Sequence, residues 1–308
     1  MWWPVRSGPS CSTSAKVSSG PIATAFSSAP VWPRSLPSLP SGPTTRNGAR
    51  RPNDLSKRTL VMAVLWTYND GTNHYEVRSA GASIRLYRNG VNHSQWNRGR
   101  PLAGSVWDLL TLPALHRPPG ELSDGLVLGF GAGAAGRQLL DLAGFSRLVG
   151  VELDPVHLSV ADGFFDCTEG CELVAADAVE WVEASPGEAY DYVVDDLYAE
   201  EEGVPERFAP LDAAWCEGLL RLLRPGGILV LNMIEPDRVP MLPLLREPRL
   251  RERVPYALGY QLDGYENRVV AFSDVPFLPD HLAGNLQRIG RAYPRCRGVG
   301  ARYEAFRI

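Results

Sequence analysis

The sequence predicts a doubly wound, mostly parallel α/β sheet preceded by a small β-rich subdomain. Three observations carry that expectation. Short apolar runs alternate with helically spaced segments from Leu126 onward, the pattern of βαβ units. A glycine-rich turn, Gly129–Gly136, follows the first of those runs. Ahead of it, Asn89-Gly90 separates two strand-like segments, and both central residues of a type I′ hairpin turn need positive φ.

The 308 residues are 44% apolar and 21% charged, enough apolar side chain for a substantial core. A net charge of −4 gives no reason to expect a nucleic-acid partner. No apolar run approaches the roughly 18 residues that span a bilayer, so no membrane span is expected. Charge is nevertheless unevenly spread. Residues 1–60 hold eight basic side chains and one acid, leaving 23 basic and 34 acidic side chains to the rest. Nine prolines and twelve serines share that first segment, which cannot bury enough apolar surface to offset its ordering entropy. Residues 1–61 are therefore expected to be a disordered extension. Being Ser-rich, Arg-containing and acid-poor, it suits an organelle transit peptide. It equally suits a translation start placed too far upstream, with Met62 as the first residue; both lysines precede residue 61 and every later basic residue is Arg.

Of five cysteines, Cys167 and Cys171 stand close in sequence, but no histidine pair or second cysteine pair completes a zinc set. No metal site is expected, and a cytoplasmic, reducing location follows from the thiols.

In chain order, Asn73–Trp96 reads as strands around the Asn89-Gly90 turn, and Val106–Leu110 begins a short helix ending near Pro113. These give a β-rich subdomain over 62–119. The nucleoside-binding type of domain then occupies 120–308. Its strands are expected at Leu126–Leu128, Leu148–Val151, Leu173–Ala175, Tyr192–Val194 and Ile228–Leu231, with helices between them. The helix Leu211–Leu223 stops at Pro225-Gly226-Gly227. Tyr256–Leu262 and Asn267–Phe272 pair as a hairpin through Asp263-Gly264.

Open α/β sheets bind ligands beyond the carboxyl ends of their strands. Here the first strand runs into Gly129, Gly131 and Gly133, whose turn lets a ligand approach the backbone at a helix N-terminus. Glu152, 23 residues past Gly129, ends the second strand, where a carboxylate can accept both ribose hydroxyls of a nucleoside. Asp177 ends the third strand and can meet an adenine edge; it also precedes a helix, as an N-cap would. Asp195 and Asp196 end the fourth. Adjacent strand residues point to opposite faces, so one of the two should face the pocket. An adenosine-containing ligand is the expectation.

At this point the chain resembles a family. Gly129–Gly133, Val151-Glu152-Leu153-Asp154-Pro155, Ala176-Asp177-Ala178 and Leu223-Arg224-Pro225-Gly226-Gly227 are similar to the ordered motifs of class I S-adenosylmethionine-dependent methyltransferases. Tyr190–Asp196 resembles the strand and catalytic loop of spermidine synthases, and Leu86–Val91 their N-terminal β subdomain. The resemblance implies a Rossmann-like methyltransferase sheet. It implies Gly129, Gly131, Gly133, Glu152, Asp177 and Asp195 as cofactor-binding residues and Asp196 as the base. A homodimer is implied as well, because the β subdomain is often a dimer contact in that family.

Departures from the family bear on the reaction. The loop acid that holds the amine of decarboxylated S-adenosylmethionine is replaced by Ala132, and the second catalytic-loop acid by Ala199, with Glu200 one step later. His93 stands at the family's Gln after the hairpin turn, and Val106-Trp107 at its Tyr and His. A diamine carries two ammonium groups, whose burial needs carboxylates and whose attack needs a base. Ala132 removes an acid that would repel the carboxylate of full S-adenosylmethionine, leaving loop N–H groups to receive that anion. Methyl transfer to a small-molecule acceptor, cationic if Glu200, Glu201 and Glu202 form an attracting lid, is thus the main expectation. Asn232, ending the fifth strand, lines the acceptor side in that reading. The alternatives are aminopropyl transfer from decarboxylated S-adenosylmethionine, with Glu200 serving for the missing acid, and a catalytically silent nucleoside-binding module. Gly129-x-Gly131-x-x-Ala134 also fits a loose dinucleotide fingerprint, but no dehydrogenase constellation accompanies it.

Overall fold

The computed structural model describes residues 62–201 and 204–308; the expectations for residues 1–61 and for Glu202 lie outside them. The chain first lays down a four-stranded antiparallel meander, β1 (Met62–Asn69), β2 (His74–Ala80), β3 (Ser83–Arg88) and β4 (Val91–Trp96). The β3–β4 turn is the expected one, with Asn89 at φ 51° and Gly90 at 87° and Arg88 paired to Val91. β1 extends the sheet beyond the expected strands, and a register shift between Val64 and Trp66 breaks the alternation that would have revealed it.

Helix α1 (Val106–Thr111) and a 3₁₀ turn follow, then the main sheet begins. Its strands are β5 (Asp124–Leu128), β6 (Arg147–Glu152), β7 (Cys171–Ala175) and β8 (Tyr190–Asp195). Helices α2 (Ala134–Gln138, continued by a π turn), α3 (Pro155–Phe165) and α4 (Ala178–Ala184) connect them. A small hairpin, β9 (Tyr198–Glu201) with β10 (Val204–Arg207), precedes α5 (Ala213–Leu222) and β11 (Leu223–Met233). After α6 (Pro243–Arg246) and α7 (Pro248–Arg253), β12 (Tyr256–Leu262) and β13 (Arg268–Ser273) form the expected antiparallel hairpin. Helix α8 (Pro279–Ala292) and β14 (Tyr303–Arg307) end the fold.

The main sheet runs β14-β12-β13-β11-β8-β5-β6-β7. Pairings among β7, β6, β5, β8 and β11 are parallel, and those among β11, β13, β12 and β14 antiparallel. The chain winds outward from β5 through β6 to β7, then returns to β8 on the other side of β5. The switch point therefore lies between β5 and β8. Pro225-Gly226-Gly227 falls inside β11 rather than before it, as a register shift between Leu223 and Ile228; Arg224 reaches back to Asp124 and Asp191 at the strands' starts.

Apolar residues fill both faces of the sheet. One core includes Leu126, Val193, Leu229 and Leu219. The other includes Val127, Tyr192 and Val230, and continues into Val77, Leu86 and Trp96 of the small sheet. Burying each such Leu or Val contributes roughly 1.5–3 kcal/mol, so the small sheet is bound to α3 by packing; Trp66 meets Phe164 with ring centroids 6.4 Å apart.

One polar group ties the ends of this architecture together. Asp108 of α1 is fully buried. Its Oδ2 accepts hydrogen bonds from Gly104 N (2.6 Å), Ser105 N (3.1 Å) and the Tyr303 hydroxyl of β14 (2.7 Å). Its Oδ1 accepts from Ser105 Oγ (3.0 Å) and Gln138 Nε2 of α2 (2.7 Å). Removing the carboxyl strands five donors at once. We expect Asp108→Ala to lower stability by about 3 kcal/mol or more and Tyr303→Phe by about 2 kcal/mol, read from urea midpoints. Equal, small effects of both would remove Asp108 from this role.

Candidate functional site

The switch point brings the loop after β5 against the loop after β8. Gly129 (φ 78°) sits so close that a Cβ there would lie 2.2 Å from the Asp196 carbonyl oxygen. A side chain is excluded both by that contact and by the left-handed backbone. The Asp196 N–H in turn donates to Leu128 O at 2.9 Å, locking the two loops together.

The N–H groups from Gly129 to Gly133 are all used within the protein. Those of Gly129 and Phe130 donate to Val151 O at 3.0 and 3.1 Å, and that of Gly133 to Phe130 O at 2.9 Å. Gly131 N–H donates to Glu152 Oε2 at 2.7 Å, and Ala132 N–H to Ser94 Oγ at 2.9 Å. Ser94 comes from β4 of the small sheet, which presses on the turn; a Cβ on Gly131 would lie 2.9 Å from Ser94 Oγ. The expectation that Ala132 leaves loop N–H groups to receive an anion is thus corrected. Its amide is taken by Ser94, and Ala132 itself is fully buried.

Glu152 sits at the end of β6, as expected. Its Oε1 accepts from Asp154 N at 3.0 Å and lies 3.6 Å from Nδ1 of the buried His157. Asp154 caps α3, accepts from Val156 N (2.9 Å) and the Tyr75 hydroxyl (2.8 Å), and approaches His157 Nε2 at 3.7 Å. Burial opposes the charged form of both Glu152 and His157. Their mutual attraction, with the N–H groups on Glu152, outweighs it, holding Glu152 below and His157 above the ordinary values. His93 lies against His157, the rings tilted by 48° with centroids 5.0 Å apart. Burial first, then the His157 charge, lowers its pKa to about 4.

Asp177 is the N-cap of α4, accepting from Val179 N at 2.7 Å. Asp195 does not join the group, a correction to its expected place among cofactor-binding residues. It is fully buried, and its Oδ2 accepts from Arg207 Nη2 (2.5 Å) and Trp215 Nε1 (2.8 Å). The alternation along β8 that turns it toward α5 leaves Asp196 to the other side.

Asp196 Oδ1 accepts from Asn232 Nδ2 at 2.7 Å, and Asn232 Oδ1 from Asn267 Nδ2 at 3.0 Å. The Tyr198 hydroxyl donates to Asn232 O at 2.6 Å, pinning the loop to the end of β11. Burial pushes the Asp196 carboxyl up to about 7; Asn232 pulls it down, and the neighbouring Asp195 charge pushes it up again. Such a carboxyl exchanges its proton near neutral pH, as a general base must.

Sequence reasoning missed Ser94, His157, Tyr75 and Arg207. His157 alone left a trace, one turn into the helix that Asp154-Pro155 opens. Ser94, a polar residue on a strand, left none. Glu200 and Glu201 belong to β9, paired with Pro205 and Val204, rather than to an open loop. The described cysteines Cys167, Cys171, Cys216 and Cys296 are free thiols, and no cluster of metal-binding side chains occurs among the described residues. No helix among them is long and apolar enough to cross a membrane.

The fold is a doubly wound sheet with a glycine turn and strand-end acids at its switch point, the Rossmann-like architecture of spermidine synthases. The chain superposes on a probable spermidine synthase from Corynebacterium glutamicum with a TM-score of 0.59, over 79% of this chain and 90% of the other. At 17% identity that likeness is one of fold. In sequence it is 30% identical over 169 residues to the polyamine aminopropyltransferase of Mycobacterium tuberculosis, covering 51% of this chain and 31% of that protein. It is 28% identical over 137 residues to a probable polyamine aminopropyl transferase of Bifidobacterium longum, covering 44% and 29%. The match thus spans about a third of the length of these curated relatives. No family model matches the chain.

The raised Asp196 has a stability signature. Its folded-state pKa lies above the unfolded value, so this group favours the fold at low pH and opposes it as pH rises to 7 and beyond. Asp196→Asn keeps an acceptor for Asn232 and removes the titration. The variant should melt higher than the unaltered chain at pH 8 and close to it at pH 4.5. An identical difference at both pH values would count against the raised pKa.

Proposed function

We propose that the chain is a transferase that moves an alkyl group from an S-adenosylmethionine-derived sulfonium to an amine. In this reading Glu152 receives the ribose hydroxyls and Gly129, Gly131 and Gly133 pass the ligand close to the backbone. Asp177 lies at the adenine edge, and Asp196 takes the proton of the attacking amine. Burial of Asp196 beside Asn232 supports the last role, because a carboxyl near 7 matches the proton affinity needed for partial transfer at neutral pH.

The group transferred is aminopropyl, from decarboxylated S-adenosylmethionine. One observation carries this choice over methyl transfer. The N–H groups from Gly129 to Gly133 are engaged within the protein, so these five offer no donor to the carboxylate that only full S-adenosylmethionine carries. Desolvating a carboxylate without donors is costly. The names of the curated relatives lean the same way. Methyl transfer stays as a second reading on Ala132, which spares a full cofactor the repulsion of a loop acid. The acceptor is read as a small cationic amine.

With the nucleoside bound, its sulfonium supplies the electrophilic carbon. The protein would hold the amine nitrogen in line with that carbon and free its lone pair by taking a proton on Asp196; as the C–N bond forms the C–S bond breaks, its electron pair returns to sulfur and the neutral thioether nucleoside leaves. Turnover should be followed with putrescine and each nucleoside in parallel. Decarboxylated S-adenosylmethionine should yield spermidine, with kcat/KM rising through about pH 7 to a plateau as Asp196 ionises. Asp196→Asn should lose about 100-fold or more. A methylated product from the full cofactor, with none from the decarboxylated one, would replace the first reading by the second.

A further inference from the structure

A second concave site lies apart from the crevice just described. Behind the end of β11, the chain turns through Pro236–Met241 into α6 and α7, and these face the hairpin β12–β13 and the edge strand β14. Between them is an open cleft of about 620 Å³, within the range of small-molecule sites. The sheet separates it from the site around Asp196. Asn232 turns toward Asp196, so the next residue, Met233, faces the other way, and Arg268 lies opposite Met233 on that same other face.

The lining is chemically one-sided. Arg246, Arg251 and Arg268 contribute three guanidinium-bearing side chains, and among the described residues no aspartate or glutamate lines the cleft, which Ile308 also borders. This occurs in a chain whose net charge is −4. Two of the three are placed by their surroundings. Arg246 Nε donates to Pro240 O at 2.7 Å, and the Arg268 guanidinium lies over the Phe306 ring, 5.9 Å from its centroid. That ring fits because β12 has Gly259 opposite Phe306; a Cβ there would lie 2.3 Å from ring atoms. Arg251 has no hydrogen bond or ion pair among the described residues and is exposed. Val239 and Phe306 give the same cleft an apolar wall.

Three like charges outnumber the one carboxylate that a terminal Ile308 brings, and the repulsion left among them is a cost that an anion relieves. Apolar surface beside them favours a ligand whose charged end is joined to a hydrocarbon or aromatic body. We propose that this cleft is a second ligand site, taking a small amphipathic anion: a carboxylate or phosphate monoester borne on an apolar tail. Forked guanidinium donors suit either anion. The site is independent of the transferase reading and stands whichever alkyl group the crevice transfers.

Calorimetric titration of the full chain tests it with four probes, each below its micelle concentration: decanoate, decyl phosphate, inorganic phosphate and decyltrimethylammonium. At least one decyl anion should bind about tenfold or more tightly than inorganic phosphate, and the cation should not bind. The tighter of the two decyl anions identifies carboxylate or phosphate as the natural head group. The double variant Arg246→Glu, Arg251→Glu should weaken that binding at least about tenfold. If charge reversal unfolds the chain, the Arg246→Gln, Arg251→Gln pair reads the same loss. Equal binding of the decyl cation, affinity unchanged in the variants, or no binding of either decyl anion would each overturn the proposal.

Discussion

The site rests on one close approach, the backbone of Gly129 against the carbonyl of Asp196. Only a residue without a side chain permits it, since a Cβ would lie 2.2 Å from that oxygen. Because the Asp196 N–H also donates to Leu128 O, the loops after β5 and β8 move as one body. From that junction the rest is positioned in turn. Gly131 meets Glu152, Ala132 meets Ser94, and the small sheet is thereby fixed over the glycine turn.

Two neighbouring carboxyls show how strand alternation separates tasks. Asp195 is bonded to Arg207 and Trp215, joining β10 and α5 to the strand end. Losing either donor would leave a buried carboxylate short of partners. Asp196 has a neutral amide for its partner and so keeps an elevated pKa. The first carboxyl builds the loop that carries the second. Placing an arginine on Asp196 as well would hold its carboxyl down.

Much of this was legible in the chain because local chemistry decided it. Asn89-Gly90 dictated a hairpin, the βα rhythm dictated parallel strands, and Gly129 to Gly133 marked the switch-point turn. The spacing to Glu152 and the run Asp195-Asp196 put acids at strand ends. What the sequence hid depends on neighbours distant in the chain. Nothing local says that Ser94 would take the Ala132 amide, 38 residues away. Nor does local pattern separate Asp195 from Asp196 beyond stating that they part; the partners that decide it lie on β10 and α5. β14 was missed because it is five residues long and pairs only at an edge.

The bond from Tyr303 to Asp108 spans 195 residues. At roughly 5–20 residues per second, a ribosome delivers Tyr303 about 10–40 s after Asp108 has left the peptidyl centre. Throughout that interval the aspartate, the helix it starts and the nascent small sheet must persist one donor short. Chain elongation thus sets the earliest moment at which the amino-terminal half can reach its final stability. During that wait it is exposed to proteases and chaperones, and the closing β14 strand ends the exposure.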